Sequence, residues 1–254
     1  MKRLILLILI VIAGVAIYLS KISAKAPVYD LVLRDGDILL DGSKALQKVN
    51  IGINDDTIAA ISKYKLYGRQ IINAKNHTII PGFIHIEEDK YDPSMHETYI
   101  ENGITSVLYL EPEPKKISHY QQQPDLNFGF INPSLIKDAN YADLSKRINN
   151  HKFCKNSDII YTTEMENNNF LKNVKKLNNQ KKLSWHDISM RCSKNIAELT
   201  KNNTPFMKKR GTLKIGNKAD ILVIPSCCQK TKNPVQLVFI NGDLISKIHV
   251  AKNP

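Results

Sequence analysis

The sequence predicts an α/β chain, α+β overall, in which β-rich segments from both ends enclose a middle built of βα units. Three observations lead there. Residues 28 to about 80 alternate apolar and polar side chains between turn signals. The same pattern returns in "RGTLKIGNKADILVIP" and "PVQLVFINGDLIS" near the end of the chain. Between them, short apolar runs are each followed by a segment able to form a helix.

At the N-terminal end, "VYDLVLRDGDILLDG" places Asp35-Gly36 between two alternating stretches, which predicts a hairpin. "VNIGIND" and "TIAAISK" flank Asp55-Asp56, and "RQIINAKNHTIIPG" turns at Lys75-Asn76. At the far end, Asn241-Gly242 predicts a second hairpin. In the middle, "TIIPGFIHI", "ITSVLYL", "LNFGFIN" and "SDIIYTT" are the expected strands. The clearest helix is "SWHDISMRCSKNIAELTK", with Ser184 as N-cap, Asp187 three residues on, and Trp185, Ile188, Cys192, Ile196 and Leu199 on one stripe. Trp185 and His186 are expected to pack rather than to act.

Lys2 and Arg3 precede an uncharged apolar run from Leu4 to Leu19, followed by Lys21 and Lys25. That pattern is an export or anchoring signal. The run is shorter than the roughly 20 residues of a spanning helix and longer than a usual cleaved signal core. Ala24-Lys25-Ala26 offers a cleavage site that Pro27 hinders, so an uncleaved anchor holding the body outside the cytoplasm is expected. The units are then residues 1–26 as signal or anchor, 27–80 with 209–250 as a composite β domain, and 81–208 as the βα domain.

The 254 residues carry 36 Lys plus Arg against 24 Asp plus Glu, a net charge of +12. The densest basic runs, Lys172–Lys182 and Lys208–Lys218, lack the aromatic or Gly-rich interleaving of a nucleic-acid module, so no nucleic-acid partner is expected. A basic protein of the cell envelope, facing anionic polymers, is an alternative class. Of the four cysteines, Cys227 and Cys228 are adjacent and connectivity is not readable; no Cys/His cluster has the spacing of a structural zinc site. G-x-S-x-G, the P-loop, the dinucleotide fingerprint and HExxH are all absent from the sequence.

"IIPGFIHIEEDKYD" after the first β layer, the closing "RGTLKIGNKADILVIP" and the split β-rich ends resemble the amidohydrolase superfamily, nearest its D-aminoacylase and dihydroorotase branch. The resemblance covers most of residues 28–110 and 183–246. It implies a discontinuous β-sandwich and an incomplete TIM-barrel-like βα region, in a family whose members hydrolyse C–N bonds with a metal-activated water. In that family the first barrel strand ends in Pro-Gly-Phe-Ile-Asp-x-His-x-His, and the two imidazoles, spaced by two, reach one metal ion from one side of the strand.

Pro81, Gly82, Phe83 and Ile84 keep this motif, but His85 replaces its Asp, and Glu87 and Asp89 replace its His pair. Pro112 stands where D-aminoacylases bring a Cys, and Thr163-Glu164 where a Ser-Asp closes the metal site. None of the seven histidines forms a His-x-His pair. The stretch from Phe83 to Lys208 is about half of the roughly 250 residues that an eight-unit barrel needs, so about four units fit. Such a fragment can flatten into a small open sheet covered by helices, be completed by a second copy in a homo-oligomer, or persist as a poorly folded remnant; the open sheet is the expectation adopted.

The resemblance therefore implies a catalytically degenerate protein with no assigned catalytic residues and no resident cofactor. Glu87, Asp89 and Glu164 are the candidate ligands should a divalent metal be held, which is the alternative of a working hydrolase. The acidic residues Glu87, Glu88, Asp89, Asp92, Glu97, Glu101, Glu111 and Glu113 form either a hard-cation patch or a solvated rim, the latter being the default. His96-Glu97-Thr98 is expected on a helix surface.

Overall fold

A computed structural model describes residues 9–15, 26–88, 91–110, 126–135, 141–143, 159–161, 170–226 and 237–247. Its largest element is an eight-stranded sheet: β1 (Val28–Ile38), β2 (Gln47–Asn54), β3 (Thr57–Ser62), β4 (Tyr67–Asn73), β5 (His77–Pro81), β11 (Ile221–Pro225), β12 (Leu237–Ile240) and β13 (Asp243–Lys247). The order is β13-β12-β11-β5-β1-β2-β3, with β4 also on β1. Strands from the two ends of the chain meet where β5 runs antiparallel to β11, from His77 opposite Pro225 to Pro81 opposite Ile221.

One strand makes this possible. The first half of β1, Val28 to Arg34, pairs with β4, and its end, Asp37 and Ile38, pairs with β5. Asp35-Gly36 is therefore not a hairpin turn. It is a bulge inside a continuous strand, at the register shift between Leu33 opposite Ile51 and Gly36 opposite Val49. Asp35 takes a left-handed φ of 61°, and its N–H donates to Asn50 Oδ1 at 3.0 Å. Asn50 Nδ2 in turn donates to the Ser62 and Tyr64 carbonyls. The buried amide thus gives the bulged Asp35 N–H a partner and ties it to the end of β3.

Asn241-Gly242 does turn a hairpin, with φ of 52° and 86°. Gly242 is required twice, since a Cβ there would lie 2.1 Å from the Asp55 carbonyl oxygen. Asp55-Asp56 likewise joins β2 to β3, and Lys75-Asn76 turns β4 into β5. Arg210 to Asp220, expected as part of a strand, instead forms turns and a single bridge from Lys218 to Thr57. The sheet encloses a core of Leu33, Ile38, Ile51, Ile58, Ile79, Ile221 and Phe239.

"TIIPGFIHI" is two strands. Gly82 separates β5 from β6 (Phe83–Glu87), which belongs to a different, parallel sheet of order β6-β7-β8 with β7 (Ile104–Leu110) and β8 (Asn127–Ile131). A Cβ at Gly82 would lie 2.2 Å from Thr105 Oγ1, so only glycine lets the backbone pass that close to β7. A two-stranded parallel sheet follows, β9 (Tyr141–Asp143) beside β10 (Ile159–Tyr161). β9 has no counterpart among the expected strands.

The parallel strands are buried on both faces, which explains their nearly unbroken apolar sequences. On one face Val107, Tyr109, Phe128, Phe130 and Ile160 share a core with α1 (His96–Glu101) and α2 (Phe170–Asn179). On the other, Ile84, Ile86, Leu108, Ile131 and Ile159 pack with Ile196, Ala197 and Met207. This is a small sheet layered between helices. Ile159 and Ile160 enter opposite cores, so β10 extends both.

The expected long helix is α3 (Trp185–Ser189) and α4 (Asn195–Thr200), joined by a π-helical turn, Met190–Lys194. Ser184 and Asp187 form the predicted capping box. The wider π turn rotates the buried stripe by about one residue. Ile188, Cys192 and Ile196 are buried as expected, but Ala197 follows them inward and Leu199 is exposed. The same turn directs Ser193 Oγ to donate to the Gly82 carbonyl at 2.8 Å, tying the helix to the junction of the two sheets. Cys192 is buried. Residues 9–15 are helical and exposed, and no helix among the described residues is long and apolar enough to cross a membrane.

Candidate functional site

The end of β6 brings His85 and Glu87 to one side of the sheet, as residues two apart on a strand must be. Their neighbours on β7 are Val107 and Tyr109, and on β8 Phe128 and Phe130. From α1, the Tyr99 hydroxyl donates to Glu87 Oε2 at 2.6 Å, and His85 Nε2 lies 3.3 Å from the same oxygen. The His85 ring stands 5.5 Å from that of Tyr99. His85 is buried and the Glu87 side chain is only 14% exposed.

Aromatic rings pack around this trio. Tyr91 stacks on Phe128 at 4.7 Å and meets Tyr109 edge-on at 5.4 Å; His96 contacts both Tyr91 and Phe128. His96 is thus an interior residue, not the surface one expected from its position after β6. Burial, then the Glu87 carboxylate, raises the Tyr99 phenol far above its ordinary range, so it remains a protonated donor. Burial also raises Tyr109.

Of the three sequence candidates for a metal, Glu87 lies here, and Asp89 and Glu164 fall outside the described residues. Pro112, Thr163, Glu111 and Glu113 do too. Glu88, Asp92 and Glu97 are exposed. Among the described residues no three His, Cys, Asp or Glu side chains gather as a metal site needs. A binuclear centre of the family's kind does not fit this trio. The carboxylate in place of the first imidazole already accepts from a phenol 2.6 Å away and has rings packed around it.

At the opposite end of the parallel strands lies a polar cluster that the sequence did not signal. Arg210 and Asp220 form an ion pair with side chains 6% and 5% exposed. Arg210 Nη2 donates to Asn241 Oδ1 at 2.7 Å, the Asn241 N–H donates to Asp220 Oδ1 at 2.9 Å, and Asn241 Nδ2 donates to Asn127 Oδ1 at 2.9 Å. Asn127 opens β8, while Asp220 and Asn241 flank strands of the large sheet. The cluster therefore clamps the two sheets together. Burying two charges is tolerable because nearly every donor and acceptor has a partner.

A sheet joining both ends of the chain, a Gly82 crossing into parallel strands, and a candidate site at those strands' C-terminal ends make up a mixed α/β fold similar to amidohydrolase folds. Comparison with known proteins agrees. The chain is similar to D-hydantoinase, with a TM-score of 0.61, 8% identity, and 86% of this chain and 95% of that one covered. L-hydantoinase (dihydropyrimidinase) from Arthrobacter aurescens gives 0.59 at 11% identity, covering 86% and 96%. An adenosine deaminase from Xanthomonas campestris with bound zinc gives 0.56 at 9%, covering 87% and 93%.

In sequence, the chain is 27% identical over 133 residues to an adenine deaminase of Bacillus subtilis (strain 168), covering 47% of this chain and 23% of the deaminase. It thus spans about a quarter of the length of that relative. No family profile matches the chain.

Proposed function

We propose that this chain is a shortened, catalytically degenerate amidohydrolase-fold protein that binds rather than hydrolyses, and that its Leu4–Leu19 segment anchors it in, or exports it across, a membrane. The observation that carries the reading is the use made of Glu87. Where the family's motif places a metal-binding imidazole, this carboxylate accepts the Tyr99 hydroxyl at 2.6 Å and sits against the buried His85. An ion entering there must first break a short charge-assisted hydrogen bond in a site already packed with rings. The replacement of both imidazoles of His-x-His by Glu87 and Asp89 supports the same conclusion, because carboxylates alone are poor substitutes for imidazole toward zinc.

The test is metal analysis of the full chain purified after growth in zinc and manganese, with assays on hydantoin, adenine and a β-aspartyl dipeptide. The expected result is metal well below one ion per chain and no turnover. Stoichiometric metal together with hydrolysis that a chelator abolishes overturns the reading, in favour of a working C–N hydrolase with Glu87, Asp89 and Glu164 as ligands.

A further inference from the structure

The stretch between the apolar N-terminal run and the folded body has a limited reach. Ser20 to Pro27 is eight residues, which at full extension span at most about 28 Å. The next residue, Val28, opens β1. With Leu4–Leu19 held in a bilayer, as proposed above, the start of β1 lies within that distance of the point where the run leaves the lipid, a placement that rests on that reading. The tether therefore selects which end of the large sheet lies nearest the membrane.

That end presents exposed apolar surface beside a basic side chain. Val28 is opposite Tyr67 in the parallel ladder of β1 and β4, so the two side chains share a face. They are 58% and 48% exposed, whereas Leu31, Val32 and Leu33 further along β1 are buried. Lys65 Nζ stands 5.2 Å over the Tyr67 ring. This is the chemistry of a membrane–water interface, where Tyr rings sit at headgroup level and Lys lays its stem along apolar surface with the ammonium in water.

Charge agrees with that partner. From Ser62 to Gly68 the chain has Lys63 and Lys65 and no acid, and the tether adds Lys21 and Lys25. Asp30, two residues along β1 from Val28, is already paired with Arg69 at 3.2 Å. We infer that Val28, Lys65 and Tyr67 seat in the headgroup layer of an anionic bilayer, so that the body rests against the membrane instead of swinging free on its tether.

Hydroxyl-radical oxidation of the full chain in lipid nanodiscs containing phosphatidylglycerol tests this, with the rate at each side chain divided by that amino acid's intrinsic reactivity. Leu199 on α4, 36% exposed, is the internal reference. Val28 and Tyr67 are expected to react about fivefold more slowly than their exposure relative to Leu199 dictates, the preference one lysine gains near an anionic surface. Lys65→Glu with Tyr67→Ser, both at exposed positions, is expected to restore the rate at Val28. Rates at Val28 and Tyr67 in proportion to exposure, in chains that co-elute with the discs, overturn the lipid contact and leave the anchor standing. Chains that elute apart from the discs overturn both. Protection that is lost in discs holding a single chain assigns the patch to a second copy and overturns the lipid contact.

Discussion

Replacing Tyr99 by Phe removes one oxygen and leaves the ring that packs against His85. A hydrogen bond to a charged acceptor contributes about 1.5–3 kcal/mol. Glu87 keeps His85 as a neighbour at 3.3 Å and is 14% open to water, which places the expected loss near the middle, about 2 kcal/mol. For a chain of this size that corresponds to a fall in melting temperature of about 4–8 °C. A thermal melt of Tyr99→Phe, Glu87→Gln and the double variant measures it, and the cycle should return a coupling of about 1–2 kcal/mol. Tyr64→Phe, at a ring 83% exposed, is the control and should melt with the parent. A Tyr99→Phe loss under about 0.5 kcal/mol with no coupling would refute the claim that the phenol occupies this carboxylate.

Three further outcomes are expected. Arg210→Ala, stranding Asp220, should cost about 3–5 kcal/mol in denaturant unfolding, and Arg210→Lys should recover little, because one ammonium cannot serve Asp220, Asn241 and the Phe206 carbonyl together. Gly82→Ala should destabilise by about 1–3 kcal/mol through collision with Thr105, and Thr105→Ala in the same chain should restore part of it, again by denaturant unfolding. The Lys218 and Thr57 side chains hold the Asp56 carboxyl below its ordinary value. The stability this contributes is present above the unfolded carboxylate's pKa of about 3.9 and is lost as pH falls through the lower folded value; Asp56→Asn should flatten that acid limb of a stability–pH curve.

What the sequence made legible depended on whether a local pattern has one structural meaning. Asn241-Gly242 reads as a hairpin because left-handed φ at both positions suits little else. Asp35-Gly36 carries a similar signal, yet the strand runs on, since Asn50, fifteen residues away, satisfies the bulge; no local window contains that partner. The capping box was readable from Ser184 and Asp187, whereas the π turn that rotates Leu199 outward depends on Ser193 reaching Gly82. At the candidate site, the absence of a His-x-His pair was plain from Glu87 and Asp89. What the site holds instead was not, because His96-Glu97-Thr98 reads as an ordinary surface helix and nothing marks Tyr99, the next residue, as turned inward. The hint available was the aromatic alternation of Phe128 and Phe130 opposite Val107 and Tyr109, which called for a ring-rich face across from it.

The pairing of β5 with β11 also dictates a schedule. During synthesis, β1 to β5 emerge early, but the side of β5 that bonds Ile221 to Pro225 stays bare until most of the chain has left the ribosome. An apolar strand with open amides is then available to neighbours for the longest part of translation. Contacts of such long span slow the search for the native arrangement. A nascent chain of this design gains from a holding chaperone that keeps that edge covered until its distant partner arrives.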